Sequence, residues 1–183
     1  MPDDSDPISM TNLFARLSPS RARLEAFVAG LTPTKLTTPF GDDGWTAKDH
    51  LAHIAAWEGG IAALLSGGSR AIAMGLSEEA FAKAKDADAV NAEIYANWRD
   101  RTLPDALDFF ALAHANLLAA LAKMDDSDLL LPYGHYERGP SSPVADELAE
   151  AANDDTRPIV GWIAGNTFGH FDEHMEWMAA LKA

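Results

Sequence analysis

The chain has 183 residues, 28 acidic against 14 basic side chains, a net charge of −14 and no cysteine. The length suits a single domain over 1–183 with an ordinary core, and the missing cysteines exclude disulfides, thiolate metal sites and cysteine nucleophiles. The acidic balance argues against nucleic acid and anionic membranes as partners, since both need a cationic patch.

No apolar run is long enough to span a bilayer. The opening "MPDDSDPISM" is acidic and polar rather than a signal peptide. A cytoplasmic protein is therefore expected, with residues 1–8 as a disordered leader. Alanine and leucine dominate and β-branched runs are scarce, which points to an all-α fold.

In chain order, Leu13, Leu17, Leu24, Phe27 and Leu31 recur near helical spacing, with Pro19 among them. One kinked helix or two consecutive pieces are expected. "TPTKLTTPFGDDG" reads as a loop. Thr46 is a good N-cap with Asp49 three residues on, and it opens a helix carrying Leu51, Ile54, Ala55, Ile61 and Leu64 that ends at Gly67-Gly68.

A short helix and a second one over Asp88 to Trp98 follow. Leu103-Pro104 opens a long helix with the stripe Leu107, Phe110, His114, Leu117, Leu121 and Met124. From Asp125 to Arg157 the periodicity dissolves, apart from a short helix over Val144 to Ala152. A connection of that length is often functional. The final helix is expected from Pro158 to Leu181. Four long helices with irregular connections read as a four-helix bundle in up-down-down-up order, with short helical insertions and a long loop before the last helix.

That last helix contains "GNTFGHFDEHMEWM". His170 and His174 are four apart, so their imidazoles stack on one face roughly 6 Å apart. Such a pair can bind one metal ion, as in zinc-protease helices, or can simply decorate a solvated face. The stripe it shares with Ile159, Ile163, Asn166, Thr167, Trp177 and Leu181 faces the core. His53, in "KDHLAHIAAW", lies four residues from Asp49 and can face inward as a third ligand. His50 is rotated away from it, toward Ile54 and Trp57.

"GWTAKDHLAHIAAWE" followed by "GNTFGHFDEHMEWM" resembles the DinB/YfiT-like four-helix-bundle superfamily. "VNAEIYANWRDRT" brings the chain nearest to the ClbS/DfsB branch, whose colibactin self-protection protein is a hydrolase that works without metal. The likeness runs from Arg21 to Met178. Many superfamily members bind a divalent metal through one histidine of the second helix and two of the fourth. Carried over, the resemblance implies His53, His170 and His174 as ligands to Zn²⁺, Ni²⁺ or Fe²⁺. It implies a metal-dependent hydrolase or a thiol-type transferase acting on a small molecule, with detoxification as a role. The alternative is a metal-independent protection protein that binds or hydrolyses a reactive metabolite.

Three imidazoles leave an open position where a bound water has a lowered pKa. Asp49 and Asn166 are the candidates to orient that water. Glu173 neighbours His174 in sequence, which puts it about 100° away around the helix and makes it a poor base. Asp49, His50 and Glu58 could orient an imidazole, or be exposed. His114 reads as a hydrogen-bonded core histidine or a neighbour of the site. Asn91 and Tyr95 read as helix packing or as a family feature. Tyr133, His135, Tyr136 and Arg138 read as a surface loop or a lid. Trp45, Trp57, Trp98, Trp162 and Trp177 read as core anchors. Surplus apolar residues on the first helix and around Trp98 lead to the expectation of a homodimer with a complete site in each subunit.

Overall fold

The computed structural model describes residues 7–41, 44–137 and 156–182. No strand occurs among them, and the fold is all-α. The helices are α1 (Met10–Ala29), α2 (Pro33–Thr37), α3 (Ala47–Leu65), α4 (Arg70–Ala73), α5 (Glu78–Lys83), α6 (Ala87–Trp98), α7 (Leu103–Leu121), α8 (Tyr133–Glu137), α9 (Ile159–Gly165) and α10 (Phe168–Trp177). Short 3₁₀ turns lie at Asp128–Leu130 and Met178–Lys182. The expected helix over Val144 to Ala152, Arg138 and most of the expected leader lie outside the described residues.

The helix starts follow side-chain chemistry. Ser9, Thr32, Thr46, Ser69, Ser77, Asp86 and Thr102 each accept a hydrogen bond from a backbone N–H three residues on. Thr46 with Asp49, and Thr102 with Asp105, form complete capping boxes. At the other end of α3, Gly67 takes a positive φ of 70°. The Gly68 N–H reaches back to Ala63 O at 2.8 Å, so the two glycines close the helix as expected.

One alternative for helix continuity is resolved and one expectation changes. α1 is one continuous helix through Pro19 rather than two pieces. Pro19 is exposed and so is Ala15, whose carbonyl loses its partner to the proline, so water can serve that carbonyl. The last helix, by contrast, is broken at Asn166-Thr167. Asn166 Nδ2 donates to Trp162 O (2.8 Å) and Thr167 Oγ1 to Ile163 O (2.6 Å). Both side chains bond the carbonyl four residues back, a local competition that bends or ends helices. Thr167 then turns to φ −128°, ψ −109° and α10 starts afresh.

The main core joins Leu17, Leu24 and Phe27 of α1, Leu51, Ile54 and Ile61 of α3, Phe110, Leu117 and Leu121 of α7, Ile159 and Ile163 of α9, and Phe171 of α10. Each such side chain contributes about 1.5–3 kcal/mol when fully buried. A smaller cluster of Ala56, Met74, Leu76, Val90 and Ile94 seats α4 and α6 against α3. α3 lies at the centre: only Trp57, Ala63 and Leu65 of its 19 residues are not buried. Its Gly59 and Gly60 permit close neighbours. A Cβ on Gly59 would meet Ala73 O at 3.3 Å, and one on Gly60 would meet Met74 Cγ at 3.0 Å.

The two regions expected to hold surplus apolar surface are absorbed. The α1 residues enter the core, and Trp98 stacks on Phe109 with centroids 4.3 Å apart. The large apolar groups left exposed include Ile72 (63%) and Leu112 (59%), over a groove lined by alanines of α3 and α7.

Three helices are locked by a buried polar network. Arg21 of α1 (4% exposed) pairs with Glu58 of α3 (0%) at 3.1 Å. Arg21 also donates to Phe110 O (3.1 Å) and lies over the Phe110 ring (3.5 Å). The second Glu58 oxygen meets His114 Nδ1 at 2.6 Å. His114 is thus a satisfied histidine of the network, away from the other imidazoles. The Arg21→Ala variant leaves Glu58 without its guanidinium and is expected to lose about 3–5 kcal/mol of stability. Adding Glu58→Gln removes the stranded charge and should restore part of that loss. Urea denaturation of both variants measures the difference.

Candidate metal centre

α3 and α10 bring three of the predicted residues together. His53, His170 and His174 each offer a ring nitrogen, and these atoms lie within 4.8 Å of one another. His53 Nε2 is 3.1 Å from His170 Nε2, which is 3.0 Å from His174 Nε2. Nitrogens held at 2.0–2.1 Å by a tetrahedral ion are about 3.3–3.4 Å apart. The cluster therefore fits such an ion after opening by a few tenths of an ångström. Like atoms of three neutral rings converge here at hydrogen-bond distance, where a shared N–H or a bound cation can satisfy their lone pairs.

The electrostatics agree with that donor set. Burial, then His170 and His50, push the His53 imidazole down to about 3. Burial and then His50 push His170 down to about 4. Burial and the same neighbouring imidazoles push His174 down as well. All three are neutral at pH 7, the state that ligates a metal.

Of its two expected placements, orienting an imidazole or exposure, His50 takes the first, although the expectation was a turn toward Ile54 and Trp57. It is buried, and its Nδ1 is 2.7 Å from His174 Nδ1. Phe40 stacks on its other side, with centroids 5.3 Å apart and planes at 28°. If His174 ligates through Nε2, its Nδ1 carries the proton and donates to His50 Nδ1, so His50 fixes both tautomer and ring orientation. The sequence contained one signal for this. α3 carries alanines and aliphatics at every angle, so it has no solvent face to which His50 could turn.

The other candidates sit as follows. Asp49 Oδ2 is held by Thr46 N (2.9 Å) and Thr46 Oγ1 (2.7 Å), and Oδ1 lies 3.3 Å from Lys48 Nζ. Its carboxylate caps α3 and does not line the cleft beside the histidines. Asn166 lines that cleft, with Nδ2 spent on Trp162. Glu173 also lines it, contrary to expectation. It is about 100° from His174 but only about 60° from His170, three residues back. Glu58 orients an imidazole, that of His114. Tyr133, His135 and Tyr136 lie away from the cleft. Tyr133 is buried against Trp162, with centroids 4.6 Å apart, and its hydroxyl accepts from Arg70.

The cleft has a volume of about 630 Å³. α6 builds the wall opposite the histidines through Asp88, Asn91 and Tyr95. Trp45 stacks on Tyr95 (5.1 Å, 10°), and Trp57 Nε1 donates to Asn91 Oδ1 (2.9 Å). Trp177, 53% exposed, packs edge-on to His174 at 4.6 Å. Trp45, Trp57 and Trp177 therefore face the cleft, whereas Trp98 and Trp162 pack elsewhere, as core anchors do. Lys48 fastens the wall: its Nζ donates to Trp98 O (3.3 Å), Arg99 O (2.5 Å) and Arg101 O (3.1 Å), placing a cation where α6 ends.

Fold and cluster together define a helical bundle protein with a three-histidine centre able to hold a metal ion at the floor of a cleft. The chain belongs to the DinB superfamily, whose family profile matches residues 16–178. The crystal structure of an uncharacterised protein from Escherichia coli UTI89 shares the fold at 13% identity, with a TM-score of 0.63 over 98% of this chain and 95% of that one. No curated protein matches the sequence. No helix among the described residues is long and apolar enough to cross a membrane.

Two outcomes are expected. Loss of a residue that orients a ligand typically costs about 10–100-fold in metal affinity. His50→Ala should show that loss in a competitive chelator titration, with its helical circular dichroism unchanged. The second concerns pH in the metal-free protein. Unfolded histidine protonates near about 6.5, whereas native His53 and His170 wait until about 3 and about 4. The unfolded chain binds more protons in that window, so stability should fall as pH drops from about 6.5 toward about 4. Urea midpoints across that range should decline, and more gently in His53→Ala.

Proposed function

We propose that this protein is a metal-dependent enzyme acting on a small molecule, with His53, His170 and His174 holding one divalent ion of Zn²⁺, Ni²⁺ or Fe²⁺. The observation that carries the reading is the convergence of three neutral imidazoles, two buried and one half-buried, on the floor of a cleft of about 630 Å³. The superfamily is often metal-binding, which supports it. An absence of cysteine suits a cytoplasmic setting.

When bound, the ion supplies a Lewis acid with an open coordination position, the chemistry of a hydrolase or of a thiol-type transferase. The chain's own groups do the rest. His50 holds the proton arrangement that turns His174 Nε2 toward the ion. Trp45, Trp57 and Tyr95 keep the cleft wall apolar and restrict water. Glu173 is the carboxylate of α10 that lines the cleft and can take up or hand over a proton there, and Asn166 lines the same cleft as an orienting amide.

One observation favours a second reading. Nδ1 of His53 and Nδ1 of His170 are buried without a hydrogen-bond partner, so two of the three rings lack the outer acceptor that metal-bound histidines usually have. A metal-independent protection protein of the ClbS/DfsB type, binding or hydrolysing a reactive metabolite, accommodates that. Elemental analysis of the purified protein separates the two. The metal reading expects about one divalent ion per chain and a near-total loss in His170→Ala and His174→Ala. Metal-free protein that stays metal-free on dialysis against zinc, nickel and ferrous iron overturns it.

A further inference from the structure

The cleft that holds the histidines has an asymmetric charge. The charged side chains lining it among the described residues are Asp88 and Glu173, and both are carboxylates. They face it from different elements, Asp88 from α6 and Glu173 from α10, and both are exposed at its mouth. Among the described residues, no lysine or arginine lines the cleft. Arg99 reaches the Tyr95 ring (5.7 Å to the centroid) without entering that lining.

The lining is otherwise rich in aromatic rings: Trp45, Trp57, Tyr95 and Trp177, the last 53% exposed. Ring faces carry the negative part of the aromatic quadrupole and attract cations, tryptophan most strongly. Grouped aromatic faces with carboxylates above them form the environment that receives ammonium groups. A phosphate, sulfonate or carboxylate tail would meet two carboxylates and no basic side chain. The net charge of −14 adds a field of the same sign around the opening.

We infer that the substrate of this cleft is an organic cation, bearing an amine or quaternary ammonium group that lodges among Trp45, Trp57, Tyr95 and Trp177 beneath Asp88 and Glu173. Its uncharged, reactive end points to the histidine floor, because an ammonium group beside a divalent ion would be repelled. The volume suits a small molecule of this kind. The inference rests on the cleft being the substrate site, and it disfavours anionic thiols as co-substrates.

The test uses three probes of nearly one shape and different charge: choline, the neutral 3,3-dimethylbutan-1-ol, and the anion 3,3-dimethylbutanoate. Each is titrated calorimetrically, and by tryptophan fluorescence, into zinc-dialysed and chelator-treated protein. Choline should bind about ten-fold or more tighter than the alcohol, the size expected of a cation–π site with carboxylates, and the anion weakest. Asp88→Asn combined with Glu173→Gln should remove most of that preference while leaving affinity for the alcohol and the zinc content unchanged.

Equal binding of choline and the alcohol, tighter binding of the anion, or no choline binding at millimolar concentration each overturns the inference. The two readings fail separately. Choline preference without bound metal defeats the metal proposal alone, and stoichiometric zinc without choline preference defeats this one alone.

Discussion

α3 has no face turned to solvent, and the rest of the molecule is arranged around that constraint. A helix buried on every side is ordinarily apolar throughout, yet this one carries Lys48, Asp49, His50, His53 and Glu58, all buried. Each must find a partner, because an unpaired polar group in a dry interior costs about 1–3 kcal/mol, and a charge more. The answers come from different elements. Lys48 takes carbonyls at the end of α6, Asp49 takes Thr46, and Glu58 takes Arg21 of α1 and His114 of α7. His50 and His53 take His174 and His170 of α10. The polar residues of one central helix therefore specify how α1, α6, α7 and α10 stand against it.

The histidine end of α3 and its glutamate end use this constraint differently. Around Glu58, opposite charges and hydrogen bonds meet, and the network is closed. Around His53, like rings meet like rings, and burial holds them neutral. Neutral imidazoles in a crowd gain little from one another. They gain a great deal from a cation, so the same packing that closes one end leaves the other chemically receptive. The aromatic residues Phe40, Trp45 and Trp177 flank the cluster and limit its hydration.

How much of this was legible in the sequence varies with the physics involved. Capping boxes are local, so Thr46 with Asp49 and Thr102 with Asp105 could be read directly. Helical periodicity located the long helices, and an inward i, i+4 pair located His170 and His174. Asp49, a candidate to orient water, spends Oδ2 on its own helix cap and sets Oδ1 beside Lys48, outside the cleft lining. The short α2 was read as loop because one turn of helix leaves no periodic trace. The break at Asn166-Thr167 escaped because it depends on side chains competing for carbonyls that a regular helix would use. His50 stayed between two placements and Glu173 was set aside for one reason: each was judged by its angle to a single neighbour. The burial of α3 decided the first, and the proximity of His170 decided the second. The tryptophans divided between core and cleft because hydrophobic character alone does not say which side of a wall an aromatic ring faces.

The interruption between α9 and α10 has a mechanical meaning. Two ligand candidates ride on α10, while Ile159 and Ile163 anchor α9 in the core. Were the segment one rigid rod, any adjustment of His170 and His174 toward an ion would drag those anchors with it, at a packing cost. A joint at Thr167 concentrates the change in one or two backbone dihedrals. The joint spares only the α9 anchors, because Phe171, fully buried on α10 between the two histidines, ties them to the same core. Any opening of the donors from 3.0–3.1 Å is therefore a pivot about Phe171 rather than a slide of the whole segment.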